Sequence, residues 1–222
     1  MLVNGRHYRT IWIDERNELC VTDQTVLPHE FRIVRLHTPA EVCRAISSMV
    51  VHGAGLIGAT AGYGMWLAAA QAPEDRPFTL WMAECAASLI ATRPTASNLA
   101  WAVERQRNLL ASLGPELRKT DAVALLRAEA DRIADEDAEF CRSIGQHGGE
   151  LITAISRRKS GETVHVLTHC NAGWLAFVDY GSALSPVYAA FDAGVDVHVW
   201  VDETRPRNQG ASLTAWELGR HG

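Results

Sequence analysis

The sequence has no Lys/Arg cluster and no basic tail. Of its 222 residues 21 are Lys or Arg and 26 are Asp or Glu, for a formal charge of −5. Nucleic-acid surfaces neutralise phosphates with grouped cations, so such a partner is not expected. Paired cysteines are missing too. Cys20, Cys43, Cys85, Cys141 and Cys170 are odd in number, and none forms a Cys-x-x-Cys pair. A disulfide framework and a zinc module are thereby excluded, and a reducing cytoplasm fits. Met1-Leu2-Val3-Asn4-Gly5-Arg6 lacks the apolar core of a signal peptide. His7, His29, His37, His147, His165, His198 and His221 show no metal-ligand spacing. No Gly-x-Gly-x-x-Gly follows the first apolar strand, which disfavours a nicotinamide dinucleotide. No metal and no cofactor is expected. Internal repeats and low-complexity segments are absent.

One run lacks charge altogether. His52–Pro73 holds no Asp, Glu, Lys or Arg, and about 20 such residues suffice to span a bilayer. It also holds Gly53, Gly55, Gly58, Gly62 and Gly64, with Thr60, Tyr63 and Gln71, and its flanks carry no basic excess. It reads as a buried helix rather than a membrane span. Gly58 and Gly62 would let another helix approach closely.

The apolar fraction, 47%, with 21% charged residues, is that of a globular chain. Tyr8–Ile13 and Leu19–Thr22 flank a polar turn and suggest a hairpin, and Phe31–Leu36 alternates as a third strand. Thr38-Pro39-Ala40-Glu41 is a capping box that opens a helix. Further helices are predicted over about Ala54–Ala70, Thr79–Ala91, Thr95 or Ser97 to Ser112 (before Gly114-Pro115) and Asp121–Gln146, the last ending at Gly148-Gly149. A short helix, Glu150–Ser156, comes next. Then come a buried strand Thr163–Thr168, a helix Ala183–Ala193, a buried strand Asp196–Val201 and a helix from about Ala211. His165 and His198 read as core residues, as do Trp66, Trp81, Trp101 and Trp216. Asp135-Glu136-Asp137 reads as a solvated helix face.

The predicted fold class is α/β. A small N-terminal strand-plus-helix domain, 1–148, precedes an incomplete Rossmann-like parallel β-α-β-α unit, 149–222. Two parallel strands are few for a sheet normally covered on both faces. The sequence is therefore expected to be cut short, or completed by a further C-terminal fragment or a second polypeptide.

Four segments carry chemistry. Thr168-His169-Cys170-Asn171-Ala172-Gly173 lies at the carboxyl end of the first parallel strand, where open α/β sheets bind ligands. A cysteine there can shuttle a proton; an inert buried thiol is the alternative. Asp202–Gly210 follows the second strand and crowds charges of both signs, as a polar ligand would need, or simply forms a solvated loop with an Asp–Arg pair. His52-Gly53-Ala54-Gly55 opens the apolar helix, where backbone N–H groups favour an anion; tight helix packing explains the same glycines. Arg93 sits between two helices, placed to grip a phosphate or to cover the carbonyls of the preceding helix.

These segments together resemble one family. Thr168-His169-Cys170-Asn171-Ala172-Gly173, Asp202-Glu203-Thr204-Arg205-Pro206 with Gln209-Gly210, and Leu213-Thr214-Ala215-Trp216-Glu217-Leu218 look like methylthioribose-1-phosphate isomerase. So do Arg93-Pro94-Thr95-Ala96-Ser97-Asn98-Leu99 and Ile144-Gly145-Gln146-His147-Gly148. That family is related to the regulatory subunits of initiation factor 2B and to ribose-1,5-bisphosphate isomerase.

The resemblance implies a cytoplasmic homodimer that needs no cofactor. It implies an aldose–ketose isomerase of methionine salvage acting on 5-methylthioribose 1-phosphate. Cys170 matches the catalytic cysteine, Gln209 a substrate contact, Arg93 a phosphate-binding arginine and His52-Gly53-Ala54 the anion-binding loop. The loop usually reads Arg-Gly-Ala-Pro, so His52 removes a permanent charge and a bidentate donor. An isomerase of another pentose 1-phosphate, or a non-catalytic sugar-phosphate or nucleotide sensor, is the alternative. The family's catalytic aspartate lies in a Gly-Ala-Asp-Arg segment that these residues do not contain. Ala130-Asp131-Arg132 is only similar in letters and falls on the long helix before Cys170.

Overall fold

The computed structural model describes residues 1–114 and 118–222, so the expected stop at Gly114-Pro115 lies partly outside the described residues. In chain order the elements are β1 (Leu2–Val3), β2 (Arg6–His7), β3 (Ile11–Ile13), β4 (Leu19–Thr22) and β5 (Ile33–Leu36), then α1 (Pro39–Ser47), α2 (Ala54–Ala70), α3 (Phe78–Thr92), α4 (Ser97–Ser112) and α5 (Lys119–Arg158). There follow β6 (Val164–His169), a 3-10 turn (Trp174–Ala176), α6 (Ser185–Asp192), β7 (Val197–Asp202), a π turn (Gly210–Thr214) and α7 (Ala215–His221). The α/β class expected from the sequence is the class observed: antiparallel strands with helices, then a small parallel β-α-β unit. The chain divides into two units, one of residues 11–25 and 32–136, the other of 1–10, 26–31 and 137–222.

In the first, helical unit, β3, β4 and β5 form an antiparallel sheet in the order β3-β4-β5. The capping box forms as read: Thr38 Oγ1 accepts from the Glu41 N–H, and the Glu41 carboxylate takes the Thr38 N–H. α2 is buried from Gly55 to Ala69. Its glycines let neighbours in. A Cβ on Gly58 would lie 3.2 Å from the Asn98 carbonyl oxygen, and one on Gly62 would lie 3.2 Å from Ile133 Cδ1. Among the described residues no helix is long and apolar enough to cross a membrane. Trp66 is buried, as expected. Trp101 is not: it is 49% exposed, with the Arg105 guanidinium over its ring.

In the second, parallel-sheet unit, β6 and β7 pair in parallel from Val164↔Val197 to His169↔Asp202. Val166, Val197 and Val199 pack on Trp174, Leu175, Leu184, Val187, Tyr188, Leu213 and Trp216.

Several expectations need correction. Tyr8–Ile13 is not one strand, because the Thr10 N–H donates to the Val178 carbonyl and ends β2 short of β3. Phe31 precedes β5 and instead stacks on Trp216, with ring centroids 5.9 Å apart. The long helix does not stop at Gly148-Gly149. α5 runs through both to Arg158, because the glycines make room for α6: a Cβ on Gly148 would lie 2.4 Å from Pro186 Cγ. The parallel strands alternate in burial rather than being buried throughout. His165 and His198 are therefore exposed, beside Leu167 and Trp200, since only one face of this sheet is covered among the described residues. The Asp135-Glu136-Asp137 run is not simply solvated: Arg105 Nη2 donates to Glu136 Oε1 at 2.9 Å, and Asp137 Oδ2 accepts from the Val178 N–H at 2.8 Å. Burial pushes the Asp137 carboxyl up to about 6.

Candidate active site

The site is built where β6 and β7 end. Cys170 follows β6 directly, and Gln209 closes the loop after β7. The half-buried Cys170 thiol donates toward Gln209 Oε1 at 3.6 Å. The Cys170 N–H donates to the Asp202 carbonyl at 3.2 Å. Its backbone is left-handed, with φ of 60°.

Three of the other thiols are buried. Burial pushes those of Cys20 and Cys85 to about 11 and that of Cys141 to about 12. These are structural thiols, held protonated.

The Asp202–Gly210 loop is ordered by its own acids. Glu203 takes the N–H groups of Thr204, Gly210 and Ala211 at 2.6, 3.0 and 2.7 Å, and the Ala211 bond is the main reason its carboxyl sits below the usual range. Asp202 Oδ2 meets His169 Nδ1 at 3.0 Å, which holds the Asp202 carboxyl low. The partner of Asp202 is thus a histidine of the neighbouring strand.

His52, Gly53, Ala54 and Arg93 belong to the helical unit, and Cys170 and Gln209 to the parallel-sheet unit. Gly53 caps α2 with φ of 84°, a conformation natural to glycine. His52 is buried, with Nδ1 against Gln24 Oε1. A neutral ring that donates from Nδ1 presents an acceptor at Nε2, so anion binding there calls for the protonated ring or the other tautomer. Arg93 ends α3 and is half-buried. Among the described residues no ion pair or hydrogen bond engages its guanidinium.

Sequence reasoning gave no role to four residues that shape the cysteine turn. Asn171 Nδ2 donates to Thr214 Oγ1 at 2.9 Å, and Thr214 Oγ1 donates to the Cys170 carbonyl at 2.6 Å. Glu217, fully buried, takes the Leu175 N–H at 2.9 Å, and Gly173 lies against its carboxylate. A carboxylate in the apolar run Ala215-Trp216-Glu217-Leu218 was the available signal. A 290 Å³ recess lined by Val187, Tyr188, Phe191 and Val197 contains neither Cys170 nor Gln209.

Comparison with known proteins bears out the family likeness. Residues 50–222 match the Initiation factor 2 subunit family. The whole chain is 53% identical to a methylthioribose-1-phosphate isomerase of Rhodospirillum centenum, covering 57% of that protein. It is 54% identical to one of Cereibacter sphaeroides, covering 58% of it. Among solved structures, it superposes on 5-methylthioribose 1-phosphate isomerase from Pyrococcus horikoshii with a TM-score of 0.82 at 34% identity, over 98% of this chain and 58% of that one. It also superposes on the delta subunit of translation initiation factor eIF-2B from A. fulgidus with a TM-score of 0.78 at 36% identity, over 96% and 59%. The chain thus spans somewhat under three fifths of the length of these relatives.

Proposed function

Because the chain belongs to the Initiation factor 2 subunit family, we propose that the protein is an aldose–ketose isomerase converting 5-methylthioribose 1-phosphate to 5-methylthioribulose 1-phosphate. The observation that carries this reading is the Cys170–Gln209 pair, a thiol and an amide 3.6 Å apart beyond the ends of two parallel strands. The substrate class comes from relatives that bear that name and are more than half identical to the chain.

The anomeric carbon of the substrate carries the phosphate, so no free aldehyde is available. The ring must open and a hydrogen must pass between neighbouring carbons, both assisted by groups that give and take protons. Cys170 is the proton-transferring residue, and Gln209 hydrogen-bonds the sugar. Arg93 binds the phosphate by its fork of N–H donors, and His52-Gly53-Ala54 forms an anion-binding loop. The resemblance pairs the cysteine with an aspartate in a Gly-Ala-Asp-Arg segment outside these 222 residues. The protein works as a cytoplasmic homodimer.

The test is ketose 1-phosphate formation by the natural full-length protein. Cys170→Ser is expected to lower kcat at least a hundredfold with an unchanged melting temperature. Unchanged turnover would end the role of Cys170, and absence of any turnover would favour a sugar-phosphate sensor. His52 in place of the family arginine motivates a second reading, an isomerase of another pentose 1-phosphate. Comparing methylthio-, deoxy- and 5-phosphoribose 1-phosphates decides it, because best use of the methylthio sugar rejects that reading.

A further inference from the structure

Cys170 is not glycine, yet its φ is 60°. In an L-residue this conformation brings Cβ against the carbonyl oxygen, and it persists only where the surroundings hold it. Two backbone bonds do so. The Cys170 N–H is tied to the Asp202 carbonyl. The Cys170 carbonyl is tied to the Thr214 hydroxyl at 2.6 Å, and that hydroxyl is itself fixed by the Asn171 amide at 2.9 Å. Thr214 is fully buried, so water cannot replace either bond.

Thr214 ends a π turn that starts at Gly210, directly after Gln209. Such widened turns shift the residues that follow and recur at functional sites. One short segment therefore carries both the amide that meets the thiol and the hydroxyl that holds the backbone of the cysteine.

We propose that Thr214 is a positioning residue: its buried hydroxyl keeps Cys170 in the left-handed conformation that aims the thiol at Gln209. This rests on the reading of Cys170 as the proton-transferring group. Without the hydroxyl, the Cys170 carbonyl and the Asn171 amide each lose a partner, the turn relaxes toward ordinary backbone, and the thiol leaves Gln209.

The experiment uses the natural full-length protein and three measurements: kcat and KM, iodoacetamide alkylation of Cys170 relative to the half-buried Cys43 by peptide mass spectrometry, and melting temperature. Thr214→Val keeps the volume and loses the hydroxyl. It is expected to lower kcat at least tenfold with KM within twofold, and to raise the Cys170:Cys43 alkylation ratio at least threefold. Thr214→Ser is expected to rescue both values to within twofold. An unchanged alkylation ratio in the valine variant, or a serine variant as impaired as the valine one, overturns the proposal.

A melting-temperature cycle keeps it testable should the valine variant be too unstable to assay. Glycine adopts positive φ freely, so Thr214→Val should cost at most half as many degrees in a Cys170→Gly background. An equal loss in both backgrounds overturns the proposal. Should the parent turn over no sugar phosphate, the isomerase reading fails, while the alkylation ratio and the cycle still decide the role of Thr214.

Discussion

The Glu217 carboxylate occupies the space that a side chain at Gly173 would need. A Cβ on Gly173 would lie 1.4 Å from Glu217 Oε1 and 2.6 Å from Leu184 Cδ1. Gly173 also meets Gly181, where a Cβ would lie 2.2 Å from the Gly173 carbonyl carbon. The turn after Cys170 is thus packed against a buried acid and a second glycine.

Gly173→Ala is therefore expected to cost at least about 3 kcal/mol. Overpacking of this kind costs about 1–3 kcal/mol, and the displaced carboxylate also loses the Leu175 amide. A urea titration with unchanged slope and a lower midpoint is the expected result; an unchanged midpoint would contradict the packing described.

Glu217 makes stability depend on pH. Burial, the largest influence, raises its carboxyl from 4.5 to about 7, against the opposing pull of the Leu175 N–H; the groups facing it are the Tyr188 hydroxyl, the Asn171 amide and the Trp174 N–H, and the Met1 amino group feels its charge. Between those values the folded chain keeps a proton that the unfolded chain has released. The stabilisation is fully present below pH 4.5 and is lost as the pH rises through about 7. Glu217→Gln stays neutral throughout. Its stability relative to the parent should grow by about 1–3 kcal/mol between pH 5 and pH 8, measured by urea unfolding at each pH. A constant difference would mean that the acid is not held protonated.

Glycines on helices should divide by what faces them. A Cβ on Gly148 would lie 2.4 Å from Pro186 Cγ, whereas one on Gly219 meets nothing within 4 Å. Alanine improves helix propensity by about 1 kcal/mol at either position. Gly148→Ala should nevertheless destabilise by about 2 kcal/mol, since overpacking outweighs propensity, and Gly219→Ala should stabilise by about 0.5 kcal/mol. Thermal melts of the pair check the contrast, and the same sign for both would refute it.

His52→Ala tests the anion-binding loop. A residue that binds the phosphate equally in ground and transition states changes KM alone. KM for the sugar phosphate should rise at least fivefold with kcat within twofold. A fall in kcat at constant KM would instead place His52 among the groups acting at the reacting atoms.

Much was legible in the sequence because the signals were local. The Thr38–Glu41 capping box, the glycine-spaced buried α2 and the parallel β6–β7 pair each follow from residue spacing, and each was found. Cys170 was singled out by its place after the first parallel strand and Gln209 by the family resemblance, and they meet. The end of α5 was misread because Gly148-Gly149 has two physical uses. Glycine ends a helix by adopting positive φ, or it continues the helix while admitting a neighbour. Spacing alone does not separate them, and the approach of Pro186 does.

Sequence by itself determined most of the order of strands and helices from Leu19 onward, the lack of a Lys/Arg cluster and of a Cys-x-x-Cys pair, and the two loops that carry Cys170 and Gln209, because periodicity, caps and composition act within a few residues. Only the tertiary structure decided that Cys170 is left-handed, that Thr214 and Asn171 hold it, that Glu217 is buried against Gly173, and that His165 and His198 face outward. Those outcomes depend on contacts between residues some 40 positions apart and on which face of a sheet is covered, and no local pattern encodes either.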